Sequence, residues 1–150
     1  MSTLRPSQVR IRILREHSAI REQLELLEAH SARLLAGHPG SFVEAQRELQ
    51  SFHHVLREHI DFEDALLVPA LADTDAWGTL RAQKLASHHK EQRQQMEALA
   101  TRSLSEPPAG LARLLTGLID ELRTDMNAEE REYLSADLLR DDVVSDAEDG

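Results

Sequence analysis

The chain of 150 residues carries 27 acidic side chains against 17 Lys and Arg, a net charge of −10, and has no cysteine. The charge argues against nucleic acid as a main partner, and the missing thiols exclude disulfides, zinc–thiolate sites, iron–sulfur clusters and thiol catalysis. No apolar run approaches the ~18 residues of a membrane span and the N-terminus lacks the apolar core of a signal peptide, so the expectation is one cytoplasmic domain with no membrane contact. Aromatic residues make up only 3% while leucines are many, the composition of a helical bundle rather than of a sheet protein.

A first helix is predicted from near Pro6 to about Leu35, with proline in the first turn and an apolar seam of Ile13, Ile20, Leu24, Leu27 and Leu34. The vacancy in that seam is His17. Arg5, Arg10, Arg12, Arg15 and Arg21 make this helix basic, read as a solvated face. Gly37, His38, Pro39 and Gly40 break it. Ser41 with Glu44 three residues on predicts a capping box for the second helix, whose seam runs Leu49, Phe52, Leu56, Leu66 and Ala70. The same spacing lands in between on His59 and Glu63, four residues apart and so one turn above the other on the inward face. Pro69 predicts a late kink. Asp73, Thr74 and Asp75 are turn chemistry, with Trp77 expected to close one end of the bundle.

The third helix is predicted from Gly78 to about Arg102. Its seam is Ala82, Leu85, Met96 and Leu99, and its vacancies are His89 and Gln92. His88 competes with His89, but His89 shares the face of the apolar residues. Two prolines make Ser103 to Gly110 a loop. The fourth helix starts near Ala109 with Leu111, Leu115, Leu118 and Leu122, and its spacing extends to Asp125 and Glu129. Tyr133, one turn further on, is expected to pack. From Asp141 the chain is acidic and has little to bury, so residues 1–140 are expected to form the bundle and 141–150 a disordered tail. Short connections make this an all-α, antiparallel, up-down-up-down four-helix bundle.

Six polar residues thus take inward positions: His17, His59, Glu63, His89, Asp125 and Glu129. Burying each charge alone would be costly, so chance placement is a poor account of them. Counting from the loops at ~1.5 Å per residue puts them near one level: His17 lies about 20 residues before the first turn and His59 about 19 after it. Mixed imidazole and carboxylate donors suit iron, manganese or zinc. Three of each are too many for one ion with an open position and suit two ions bridged by long carboxylates such as Glu63 and Glu129.

His17, the stretch HIDFEDALLVPAL from His59 with its His-x-x-x-Glu element and following proline, and His89 together resemble the hemerythrin-like, or HHE cation-binding, family over nearly the whole chain to about residue 135. The resemblance implies a four-helix bundle around two non-haem iron ions, oxo- or hydroxo-bridged, that binds O₂, stores or senses iron, or handles O₂, peroxide or nitric oxide; manganese and zinc stand behind iron. Two departures are visible. Asp125 stands where the family's fourth helix offers a histidine, and Arg93 stands four residues after His89 where oxygen carriers have a second one. More carboxylate and less imidazole favours redox turnover or sensing over reversible oxygen carriage. Arg93 also lies within a turn of His89, where pairing with Asp125 would take the place of one metal. The alternative expectation is a metal-poor bundle acting as a protein-interaction or regulatory module through its basic first helix or acidic tail.

Overall fold

The computed structural model describes residues 4–38 and 40–142, among which every regular element is helical. Helix α1 (Pro6–Leu35) opens with proline in its first turn, where the missing N–H would have no intrahelical partner anyway. It closes on Gly37 at φ 75°, with the Gly37 and His38 amides bonded back to the Leu34 and Arg33 carbonyls, so that two of its last carbonyls are satisfied. Helix α2 (Ser41–Phe62) starts differently from the expectation. Its cap is Gly40, at φ 86°, and Ser41 is a buried first helical residue with no side-chain cap bond. The left-handed glycine makes the turn, and the Glu44 amide reaches the Gly40 carbonyl instead of a serine hydroxyl.

Helix α2 continues without a break through a π-helical turn (Glu63–Leu67) into α3 (Val68–Ala72). The Val68 amide bonds to the Glu63 carbonyl, five residues back. This wider turn takes the place of the predicted kink just before Pro69, which has no N–H to offer the ladder. It also corrects the predicted seam. The buried residues here are His59 with its neighbour Ile60, then Glu63, Leu67 and Leu71, not Leu66 and Ala70. Steps of four residues drift by about 40° each on an α-helix, and one π turn takes up that drift and keeps His59, Glu63, Leu67 and Leu71 on the inward face.

Helices α4 (Gly78–Ser103) and α5 (Pro108–Tyr133) complete an antiparallel four-rod bundle in which α1 lies between α2 and α5, and α4 lies opposite α1. Of the four neighbouring pairs, α4 and α5 pack least closely. The apolar interior is divided in two. One cluster runs through Ile20, Leu24, Leu27, Leu49, Phe52, Leu56, Met96, Leu115, Leu122 and Met126. The other gathers Val9, Ile13, Leu67, Leu71, Leu85, Tyr133, Leu134 and Leu139. In chain order His17, Glu63, His89 and Glu129 each fall between residues of the two clusters, with His59 one turn before Glu63, so a polar layer separates two hydrophobic cores.

Trp77 does not close the bundle end, being 65% exposed. Beyond α5 the chain folds back along the bundle. Leu134 and Leu139 complete the second core, Arg10 donates to the Leu134 carbonyl at 2.7 Å, and the Asp141 carboxylate accepts from both the Ser7 amide (3.0 Å) and the Ser7 hydroxyl (2.7 Å). An anion on the first turn of α1 suits the helix dipole. The tail expected to be disordered begins with this docked residue, and from residue 143 on it lies outside the described residues.

Candidate metal centre

Five side chains of the polar layer converge: His17 from α1, His59 from α2, Glu63 from the π turn, His89 from α4 and Glu129 from α5. All are buried, His17 and His89 completely. One donor atom from each of His17, His59, Glu63 and Glu129 lies within 4.8 Å of the others. Glu63 Oε1 is 2.9 Å from His59 Nε2 and 3.4 Å from His89 Nε2, and His17 Nε2 is 3.7 Å from Glu129 Oε1. Two donors held at about 2.1 Å from one ion at a tetrahedral angle stand about 3.4 Å apart, so these spacings suit shared coordination. The chemistry of the donors points the same way. His17 Nε2, His89 Nε2, Glu63 Oε2 and Glu129 Oε1 have no hydrogen-bond partner among the described residues, although such groups are costly to bury unpaired.

Each imidazole is held from behind in the same manner. His59 Nδ1 meets Glu16 at 2.7 Å, His17 Nδ1 meets Glu130 at 2.8 Å, and His89 Nδ1 meets Asp64 at 2.6 Å. With the carboxylate taking the Nδ1 proton's hydrogen bond, the Nε2 lone pair is left facing the centre, the arrangement that orients metal-ligating histidines. Behind every carboxylate stands an arginine: Arg12 on Glu16 (3.1 Å), Arg21 on Glu130 (2.6 Å) and Arg93 on Asp64 (2.6 Å). These three relays cross the α1–α2, α1–α5 and α2–α4 seams. Arg12 additionally lies 3.8 Å over the Phe62 ring.

The electrostatics follow from this wiring. Burial works to lower the pKa of His59, but carboxylates on both ring nitrogens, Glu16 and Glu63, outweigh it and raise the value to about 9. Burial works to raise the Glu63 carboxyl, and the imidazoles of His59 and His89 hold it down at about 2. His89 is likewise raised against burial by Glu63 and Asp64. His17, where burial outweighs its bond to Glu130, is lowered. The metal-free layer is thus a proton-bearing ion cluster, and a cation entering it displaces protons.

Of the six residues singled out in the sequence, Asp125 stands apart. The inward place above Glu129 is filled by Met126, while Asp125 sits on the flank facing α4, accepting from Gln92 Nε2 at 3.2 Å and lying 3.6 Å from His88 Nε2. His88 is 42% exposed, whereas His89 is completely buried. Arg93 does not pair with Asp125 as anticipated. It turns outward to Asp61 (2.8 Å) and Asp64 (2.6 Å), because its position on α4 faces α2 and not α5. A second histidine and glutamate four residues apart on α2, His54 and Glu58, pair on the surface. The residues not foreseen are Glu16, Asp64 and Glu130. Their signal was available: each is the immediate sequence neighbour of an inward donor (His17, Glu63, Glu129), and a neighbour rotated by about 100° falls at the seam with the next helix.

A four-helix bundle with buried imidazoles and carboxylates converging between two apolar cores defines a cation-binding helical protein. The model of the hemerythrin HHE cation-binding domain matches residues 11–136, and the chain belongs to that family. No curated protein and no solved structure shows significant similarity to it. Among the described residues no helix is long and apolar enough to cross a membrane.

Proposed function

We propose that the centre holds two iron ions and serves to bind or react with O₂, peroxide or nitric oxide in the cytoplasm, in redox sensing or detoxification during oxidative stress. The observation that carries this is the Glu63 carboxylate: its Oε1 lies near both His59 Nε2 and His89 Nε2, and its buried Oε2 has no partner among the described residues, which leaves it a second oxygen to offer a neighbouring position. His17, His59 and Glu129 would complete one position, and His89 would serve the second. Three imidazoles with two carboxylates suit a first-row redox metal. Iron bound there would supply one-electron redox chemistry and an open position for a small ligand. The chain's own part is to enclose that place between two apolar cores, to fix the three rings through Glu16, Glu130 and Asp64, and to hold a proton at each Nδ1. Redox turnover, peroxidase-like or nitric-oxide-reactive, is favoured over reversible carriage because α4 brings only one of its histidines, His89, to the centre.

Elemental analysis with an absorption spectrum after anaerobic Fe(II) loading and air exposure tests this. The expected result is about two irons per chain and a new near-ultraviolet band that His59→Ala and Glu63→Ala abolish. One metal per chain would reject the dinuclear centre. An iron-loaded protein inert to hydrogen peroxide and nitric oxide would reject turnover. Absence of metal binding would leave the bundle as an interaction module, in which His59→Ala loses only the stability of its own ion pairs with Glu16 and Glu63.

A further inference from the structure

Three of the four seams of the bundle are clamped across the polar layer by a histidine–carboxylate–arginine relay. The α4–α5 seam is not. It instead opens into a surface cavity of about 200 Å³ lined by Leu85, His88, Asp125, Glu129, Glu132 and Tyr133. Glu129 is the buried inner wall, and its Oε1 has no hydrogen-bond partner among the described residues. Halfway out, His88 Nε2 and Asp125 Oδ2 face each other at 3.6 Å across the seam, close to the spacing of two donors on one cation. At the mouth, Glu132 is paired loosely with Lys84 at 3.6 Å, and the Lys84 side chain is 70% exposed, free to swing away.

We propose that this cavity is the loading route for a divalent cation, with His88 and Asp125 forming a transit site that hands the ion to Glu129. The proposal rests on the metal-binding reading of the buried centre. A transit site needs few protein donors and retained water, so that the ion binds and leaves quickly. Two partly exposed donors beside an open cavity meet that need, where the five buried donors of the centre do not. The competing approach is a cavity on the α1–α2 seam that reaches His59, but its two carboxylates, Glu16 and Glu58, are offset by Arg12, which is held in the lining by stacking on Phe62 and bonding to Glu16. The α4–α5 cavity carries three carboxylates against one mobile lysine. Clefts lined by one sign of charge raise the on-rate of an opposite ion by roughly 10- to 1000-fold.

The test is stopped-flow mixing of Co(II) with the metal-free, full-length chain, followed by its visible absorption, together with the final Co(II) stoichiometry. In His88→Ala and Asp125→Asn, uptake should slow about tenfold while stoichiometry stays at the wild-type value. Lys84→Gln should speed uptake, and Glu58→Gln, at the α1–α2 cavity, should leave it unchanged. Unaltered rates in the His88 and Asp125 variants, or a slowing confined to Glu58→Gln, would overturn the route. A lowered stoichiometry in Asp125→Asn would overturn it differently, by making Asp125 a resident ligand. If the wild-type chain takes up no Co(II), the metal-binding reading itself fails and the route falls with it.

Discussion

At the scale of single residues, the centre depends on what stands behind its histidines. Glu130→Ala removes the acceptor on His17 Nδ1 and frees the ring to turn, so metal affinity should fall roughly 10- to 100-fold in a chelator competition, with Glu130→Gln recovering part of it because the amide oxygen still accepts. The proton on His59 adds a pH dependence. Its pKa is raised from 6.5 to about 9, so its contribution to the stability of the metal-free chain is complete below about 6.5 and lost as the pH rises through about 9. The Glu63 contribution is complete above 4.5 and lost as the pH falls through about 2. A cation competes with the His59 proton, so affinity should climb by about tenfold per pH unit between pH 7 and 9. A flat affinity over that range would show that His59 binds no proton in the metal-free chain. The inward donors were legible because each breaks an apolar seam. Asp125 was misplaced because a seam extended in steps of three or four cannot distinguish it from Met126, and only packing against α4 decides between them.

At the scale of elements, the π turn sets the register of the second rod. Leu67 is fully buried within it, one step from Glu63. Leu67→Ala should cost about 2–5 kcal/mol of stability and also weaken metal binding, because the turn that aims Glu63 loses its packing. Leu27→Ala, in the other apolar cluster, should cost a similar amount and leave metal affinity unchanged, as urea titration and chelator competition on the two variants will show. Equal affinity loss in both would mean that global loosening, not the turn, governs the site. The four rods and their ends were readable from glycines, prolines and apolar spacing. The π turn was not, since the sequence shows only a proline and a run of four-residue steps, and a kink satisfies both equally well.

At the scale of the whole molecule, the polar layer interrupts what would otherwise be one continuous core, so the metal-free protein carries a buried ion cluster that a bound cation would neutralise. At a free metal concentration 1000 times the dissociation constant, binding adds about 4 kcal/mol, which for a chain of this size raises Tm by about 8–16 °C. Differential scanning calorimetry with and without a chelator should show this shift, and His59→Ala should remove it. The common level of the donors was deducible by counting residues from the loops. The openness of one seam was not, because it reflects how closely two helices approach and not what either contains.

The bond from Ser7 to Asp141 brings the start of the first helix against the last of the described residues. Between those two points the described chain is therefore almost a ring, lacking only a covalent link across them. Joining them with a short linker and opening the chain in the exposed turn after α1 would give a circular permutant with a different order of helices and every donor on its original rod. The geometry of the centre, on this account, belongs to the packing of the rods and not to the order in which they are synthesised.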